Sequence, residues 1–181
     1  RYIERLHSRR FDTLADSFIV DSGLMYDDAP ATVLRGFWHL IGKTVSILAD
    51  GAVQSQQVVA AAGTITLATA ASKVAVGLPI TADLQTLPLA LELQAFGQGT
   101  NKNVNKVYVR VFQSASLFAG PSFDKLVENK YRTTEPYGSP PGLRTGVVSV
   151  TLTPTWSTDA PVCIRQSEPL PLTVAGLVPD T

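Results

Sequence analysis

Residues 106–112, KVYVRVF, put Val107, Val109 and Val111 on one side of an extended chain and Tyr108, Arg110 and Phe112 on the other. A side-chain period of two belongs to a β-strand, and a strand that is apolar on one side needs a core beneath that side. The period returns in KTVSILAD, where Val45 and Ile47 alternate with Thr44, Ser46 and Leu48. It returns again in TGVVSVTL, where Val148, Val150 and Leu152 share a side. β-Branched residues dominate these runs, and their stiff χ1 angles favour strands over helices.

Glycine and proline cut the runs at short intervals. Asp50-Gly51 is a hairpin signal, because both central residues of a type I′ turn need positive φ. Gly63 precedes another short alternating run, and GQGTNKNVNK reads as a polar loop between two apolar strands. PYGSPPG, with three prolines and two glycines, leaves no room for a regular element. Helix signals are few. SFDKLVEN, with Ser122 as N-cap, predicts one or two turns, and FDTLADSF a turn before the strand FIVDSGLMY (18–26). The expectation is an all-β protein with little helix.

Proline placement suggests the domain organisation. KVAVGL reads as a strand that Pro79 ends, and Pro88 blocks the next strand, because proline cannot donate to the ladder. Residues 79–88 then form a connector. The prediction is two small β-sandwich or barrel lobes, one inserted in the other. Residues 1–26 and 89–181 form the sandwich, and 27–88 form the inserted small barrel with its connector.

Composition narrows the class. Of 181 residues, 45% are hydrophobic and 17% charged, which excludes a disordered chain. Lys plus Arg and Asp plus Glu each number 15, so no global positive field draws nucleic acid or anionic lipid; local patches are left open. RYIERLHSRR carries four arginines and reads as a solvated or ion-paired face. A single cysteine, Cys163, rules out an internal disulfide framework. The chain does not begin with Met, which fits a piece of a longer protein, and residues 1–20 lack a signal-peptide core. The longest uncharged run, Gly51–Ser72, carries three glutamines and reads as two strands and a turn, so no membrane-spanning segment is expected.

No catalytic signature emerges: there is no G-x-S-x-G, P-loop or H-E-x-x-H. His7 and His39 read as surface or structural histidines, since no companion motif accompanies either. Cys163, in VCIRQ, reads as a small buried hydrophobe. One cysteine and two histidines match no zinc-site spacing, and Asp27-Asp28 reads as a polar turn rather than a calcium loop. Gly97 and Gly99, with Lys102 and Lys106 nearby, are a weak phosphate-loop match because a strand follows, not a helix. Phe37, Trp38 and Trp156 are the stacking candidates, with at least one Trp expected in the core. No catalytic, cofactor or metal residue is assigned, and no cofactor is expected.

Seven stretches in order resemble a known family: RYIERL, VDSGLMYDDAP, ILADGAV, VGLPITADLQTLPL, NKVYVRV, GPSFDKL and IRQSEPLPLTVAGLVPD. Together they are similar to the C-terminal part of the tail nozzle, or second tubular tail protein, of short-tailed bacteriophages. The resemblance extends over nearly the whole chain. The stretch from GFWHLIGKTVSILADGAV to VAVGLP is also similar to a small β-module known from ubiquitin-activating enzymes, without the adenylating or cysteine-transfer apparatus. Where the family commonly has Gly-Leu before the His, this chain has Gly36-Phe37-Trp38-His39.

The resemblance implies a virion tail protein made in the host cytoplasm. It implies a homo-oligomeric ring, usually a hexamer, that binds other tail proteins and passes DNA without specific binding. The alternative is a β-sandwich module that recognises a host-surface glycan or receptor. A hydrolase is a third class, but no pair of opposed carboxylates is marked. Exposed Trp or Tyr in a concave groove points to glycan, and a flat apolar patch larger than several hundred Å² to assembly.

Overall fold

The computed structural model describes residues 3–8, 10–89, 99–130, 135–136 and 139–180. The protein is all-β. Its strands are β1 (Asp21–Arg35), β2 (Thr44–Ala49), β3 (Ala52–Val58), β4 (Thr64–Leu78), β5 (Ala82–Gln85) and β6 (Lys106–Ser114). They continue with β7 (Phe118–Gly120), β8 (Val127–Glu128), β9 (Arg144–Thr151), β10 (Cys163–Gln166) and β11 (Val174–Asp180). Helix among the described residues is confined to two single 3-10 turns, Leu14–Asp16 and Trp38–Leu40.

The chain divides into two compact units. One comprises Arg1–Ile80, Arg132–Leu143 and Ser167–Pro171; the other Thr81–Tyr131, Arg144–Gln166 and Leu172–Thr181. This differs from the expected division at 26/27 and at 88/89. Residue 26 lies inside β1, which pairs with β4 from Asp21↔Leu78 to Arg35↔Thr64. A strand paired along its whole length cannot be shared between two bodies, so residues 1–26 go with 27–80. The connector also holds an edge strand: β5 lies between Pro79 and Pro88 and pairs with β10 in the second unit.

In the first unit the strand order is β1-β4-β2-β3, all antiparallel. Asp50 and Gly51, at φ 47° and 81°, form the β2–β3 turn as expected. The Asp50 carboxylate reaches β4 and accepts the Lys73 N–H at 2.8 Å and the Ser72 N–H at 3.2 Å, so the hairpin tip is tied to the middle of β4. N-terminal to these residues, the first half of β4 continues past its pairing with β2. There the Gln57 side chain pairs with Thr66 as a backbone neighbour does. Its Nε2 donates to the Thr66 carbonyl at 2.7 Å and its Oε1 accepts the Thr66 N–H at 3.3 Å. The core holds Phe37, Val45, Ile47, Val59, Ile65, Val74 and Val76.

β2 departs from simple alternation, because Ser46 and Leu48 are buried as well as Val45 and Ile47. The second face is covered from within the unit. A methyl of Val20 sits over Gly77 and Gly23, so close that a Cβ on either glycine would overlap it. Asp27-Asp28 is not a turn after a strand. It is a bulge inside β1, where the register slips between Asp27↔Lys73 and Ala31↔Ala71 and two extra residues bow outward.

The second unit is a sandwich. Sheet β5-β10-β7-β8 and sheet β11-β6-β9 share one core. Val107, Val109 and Val111 of β6 meet Val148 and Val150 of β9, Leu117, Ala119 of β7 and Ile164 of β10 there. The predicted one-sided patterns of β6 and of Val148, Val150 and Leu152 are found. The expected helix at 122–129 is absent. Lys125 N–H donates to Ser122 O at 3.1 Å to close a single turn, and Val127 then pairs with Ala119 in a hairpin. Gly120 lies against the Lys125 carbonyl, where a Cβ would overlap the oxygen. Cross-strand pairing here outweighs a weak local helical preference.

Candidate functional site

The first unit has a shallow cavity of about 400 Å³ lined by His7, Ser8, Arg10, Phe11, Asp12, Asp16, Met25, Asp27 and Lys73. Its centre is an ion cluster. Lys73 Nζ lies 2.5 Å from Asp16 and 3.6 Å from Asp27. Asp16 also accepts the Thr13 hydroxyl at 2.6 Å and the Thr13 N–H at 3.1 Å, which closes the 3-10 turn. The Lys73 hydrogen bond, helped by Thr13, lowers the Asp16 pKa to about 2. The same bond raises that of Lys73. A carboxylate held this firmly ionised is a poor proton donor near neutral pH. The cluster knits the N-terminal segment to β1 and β4.

This geometry links acid stability to the Asp16 carboxylate. Asp16 has a lowered pKa in the fold, so its contribution is present above the ordinary value near 3.8 and is lost as pH falls from about 4 toward 2. Both side chains are roughly a third exposed, so the effect is modest. Asp16→Asn is expected to melt earlier than the wild type at pH 6 and together with it at pH 2. Thermal melts across that range check it; a gap that persists at pH 2 contradicts it.

The sequence candidates lie apart from one another. His7 stacks on Phe18 with ring centroids 4.6 Å apart and lines the cavity. His39 is fixed elsewhere in the same unit, with Nε2 2.7 Å from the Ser22 carbonyl. Cys163 is buried in β10, and burial first, then the Asp83 charge, pushes its thiol pKa up, which suppresses the thiolate. Next to it Arg165 makes a two-pronged pair with Asp83 at 2.7 and 2.8 Å over the ring of Phe123, which staples β5 to β10. Gly97 lies outside the described residues. Lys102 turns inward: it is buried, and Nζ donates to the carbonyls of Thr158 at 2.9 Å and Thr100 at 3.3 Å. Among the described residues no three of His, Cys, Asp and Glu converge as a metal site.

Neither Trp is in the core, contrary to expectation. Trp38 is 64% and Trp156 71% exposed, and Phe37 is the aromatic that turns inward. One face of the Trp38 ring lies on the backbone of Gly63, which has room for it only because it lacks a Cβ. Trp156 rides on a loop held by paired backbone hydrogen bonds between Lys102 and Ser157, at 2.8 and 2.9 Å. Both are exposed anchors on restrained backbone, a feature that no local pattern in the sequence marks. No protein-family model matches the chain, and no curated protein matches it.

Proposed function

We propose that the protein is a structural subunit that acts by assembly, a ring component of the kind found at the end of a short phage tail. The observation that carries this reading is where its exposed apolar side chains stand. Trp38, Ile41 and Val58 in the first unit and Trp156 in the second are solvent-exposed, outside the cavity. Large aromatic side chains on restrained backbone are the usual anchors of protein interfaces. A closed ring needs two different patches, one for each neighbour, and these exposed side chains are the candidates for them. The motif resemblance supports the tail assignment, and equal numbers of acidic and basic residues suit a conduit that DNA crosses without being held.

The glycan-binding alternative calls for aromatics in a groove, and the cavity is lined by neither Trp nor Tyr. The test is the native mass of the full chain, together with electron micrographs of the particle that contains it. The expected result is a multi-copy ring at the tail end, weakened by Trp38→Ala or Trp156→Ala. A particle without the chain, or turnover of a polysaccharide by the purified protein, overturns the proposal.

A further inference from the structure

The outer face of the sheet β11-β6-β9 carries a pattern that the assembly reading does not use. Along β6, the residues opposite the buried valines are Lys106, Tyr108, Arg110 and Phe112. Tyr108 is 38% and Phe112 53% exposed, and Arg110 between them is exposed. The neighbouring strands place no charge beside the two middle residues. Tyr108 is flanked by Ser149 and Val178, and Arg110 by Val147 and Gly176. Gly176, the cross-strand neighbour of Arg110, adds no side chain beside it.

Arg110 and the rings beside it point to the ligand. On this face Lys106 lies opposite Asp180, while Arg110 has only Val147 and Gly176 beside it. Arg110 has no ion pair among the described residues. Lys106 leans over the Tyr108 ring with Nζ 5.9 Å from its centroid, which leaves its charge at the surface. A cation without an ion pair among the described residues, set between two aromatic rings, suits an anionic ligand that also has planar groups to stack.

We propose that this face binds single-stranded nucleic acid. Residues two apart on a strand are separated by roughly 6.6 Å, close to the spacing of successive bases in an extended single strand. Tyr108, Arg110 and Phe112 then each take one base, the rings by stacking and the guanidinium by planar contact. Lys106 meets the phosphates at one end. Base pairs in a duplex hide the faces that this row needs, so duplex DNA binds weakly. The inference is independent of the assembly reading, which rests on Trp38, Ile41, Val58 and Trp156.

The experiment is fluorescence anisotropy of a labelled oligothymidylate titrated with the full chain at low salt. The expected result is saturable binding that weakens as salt rises. Phe112→Ala and Arg110→Ala are each expected to weaken it by about tenfold, in line with the loss of one stacked base. Phe112→Trp retains it. Phe112 is half exposed, so these variants keep the fold, and their melting curves confirm that. Absence of binding, equal binding to duplex, equal competition by an acidic polysaccharide, or indifference to Phe112→Ala overturns the proposal. So does self-association that Phe112→Ala abolishes, because the face is then an interface between copies.

Discussion

Leu117→Ala is expected to destabilise the protein by about 3–5 kcal/mol, the range for a large aliphatic side chain removed from a tight core. Leu117 is 0% exposed and sits where the two sheets of the second unit meet, against the β6 and β9 valines. A chain of this length loses roughly 2–4 °C per kcal/mol, so the melting temperature is expected to fall by on the order of 10 °C. Val147→Ala is the matched control. Val147 lies on β9 beside Val148 but points outward and is 63% exposed, so its loss stays within about 0.5 kcal/mol. The worth of an apolar side chain here depends on the side it faces. Thermal and urea unfolding of Leu117→Ala and Val147→Ala measure the contrast, and similar costs at both positions mean that the sandwich is packed otherwise.

Gly63→Ala carries the second large effect, for two reasons that act together. Gly63 has φ +65°, where a Cβ costs about 1–2 kcal/mol. That Cβ also falls 2.7 Å from the Trp38 ring, so the indole has to lift. Overpacking of this kind adds about 1–3 kcal/mol. The expected result is a lowered melting temperature with a red shift of indole emission as Trp38 moves into water. Trp38→Ala removes the collision but not the backbone strain. The double variant is therefore expected to cost less than the two single changes added, which a double-mutant cycle reads directly. Strict additivity means that the ring does not rest on Gly63.

Which elements the sequence made legible follows from the range of the interactions. The one-sided valines of β6 and β9 and the Asp50-Gly51 hairpin depend on neighbours two or fewer residues away, and both are found as expected. Residues 122–129 show where local reading fails: helical spacing at Phe123, Leu126 and Val127 yields to a hairpin with Ala119. The candidate surfaces were less legible still. Trp38 stands outward because Gly63, far along the chain, makes a floor for it, and Lys102 points inward because two distant carbonyls accept its protons.

By itself the sequence determined the all-β class, the one-sided faces of β6 and β9 and the tight Asp50-Gly51 turn, since side-chain alternation and backbone φ are properties of a few adjacent residues. Only the tertiary structure decided that residues 1–26 join the first unit, that Asp27-Asp28 is a bulge and that both Trp side chains face water. Those outcomes depend on which strand pairs with which, and strand pairing joins residues that no short window contains.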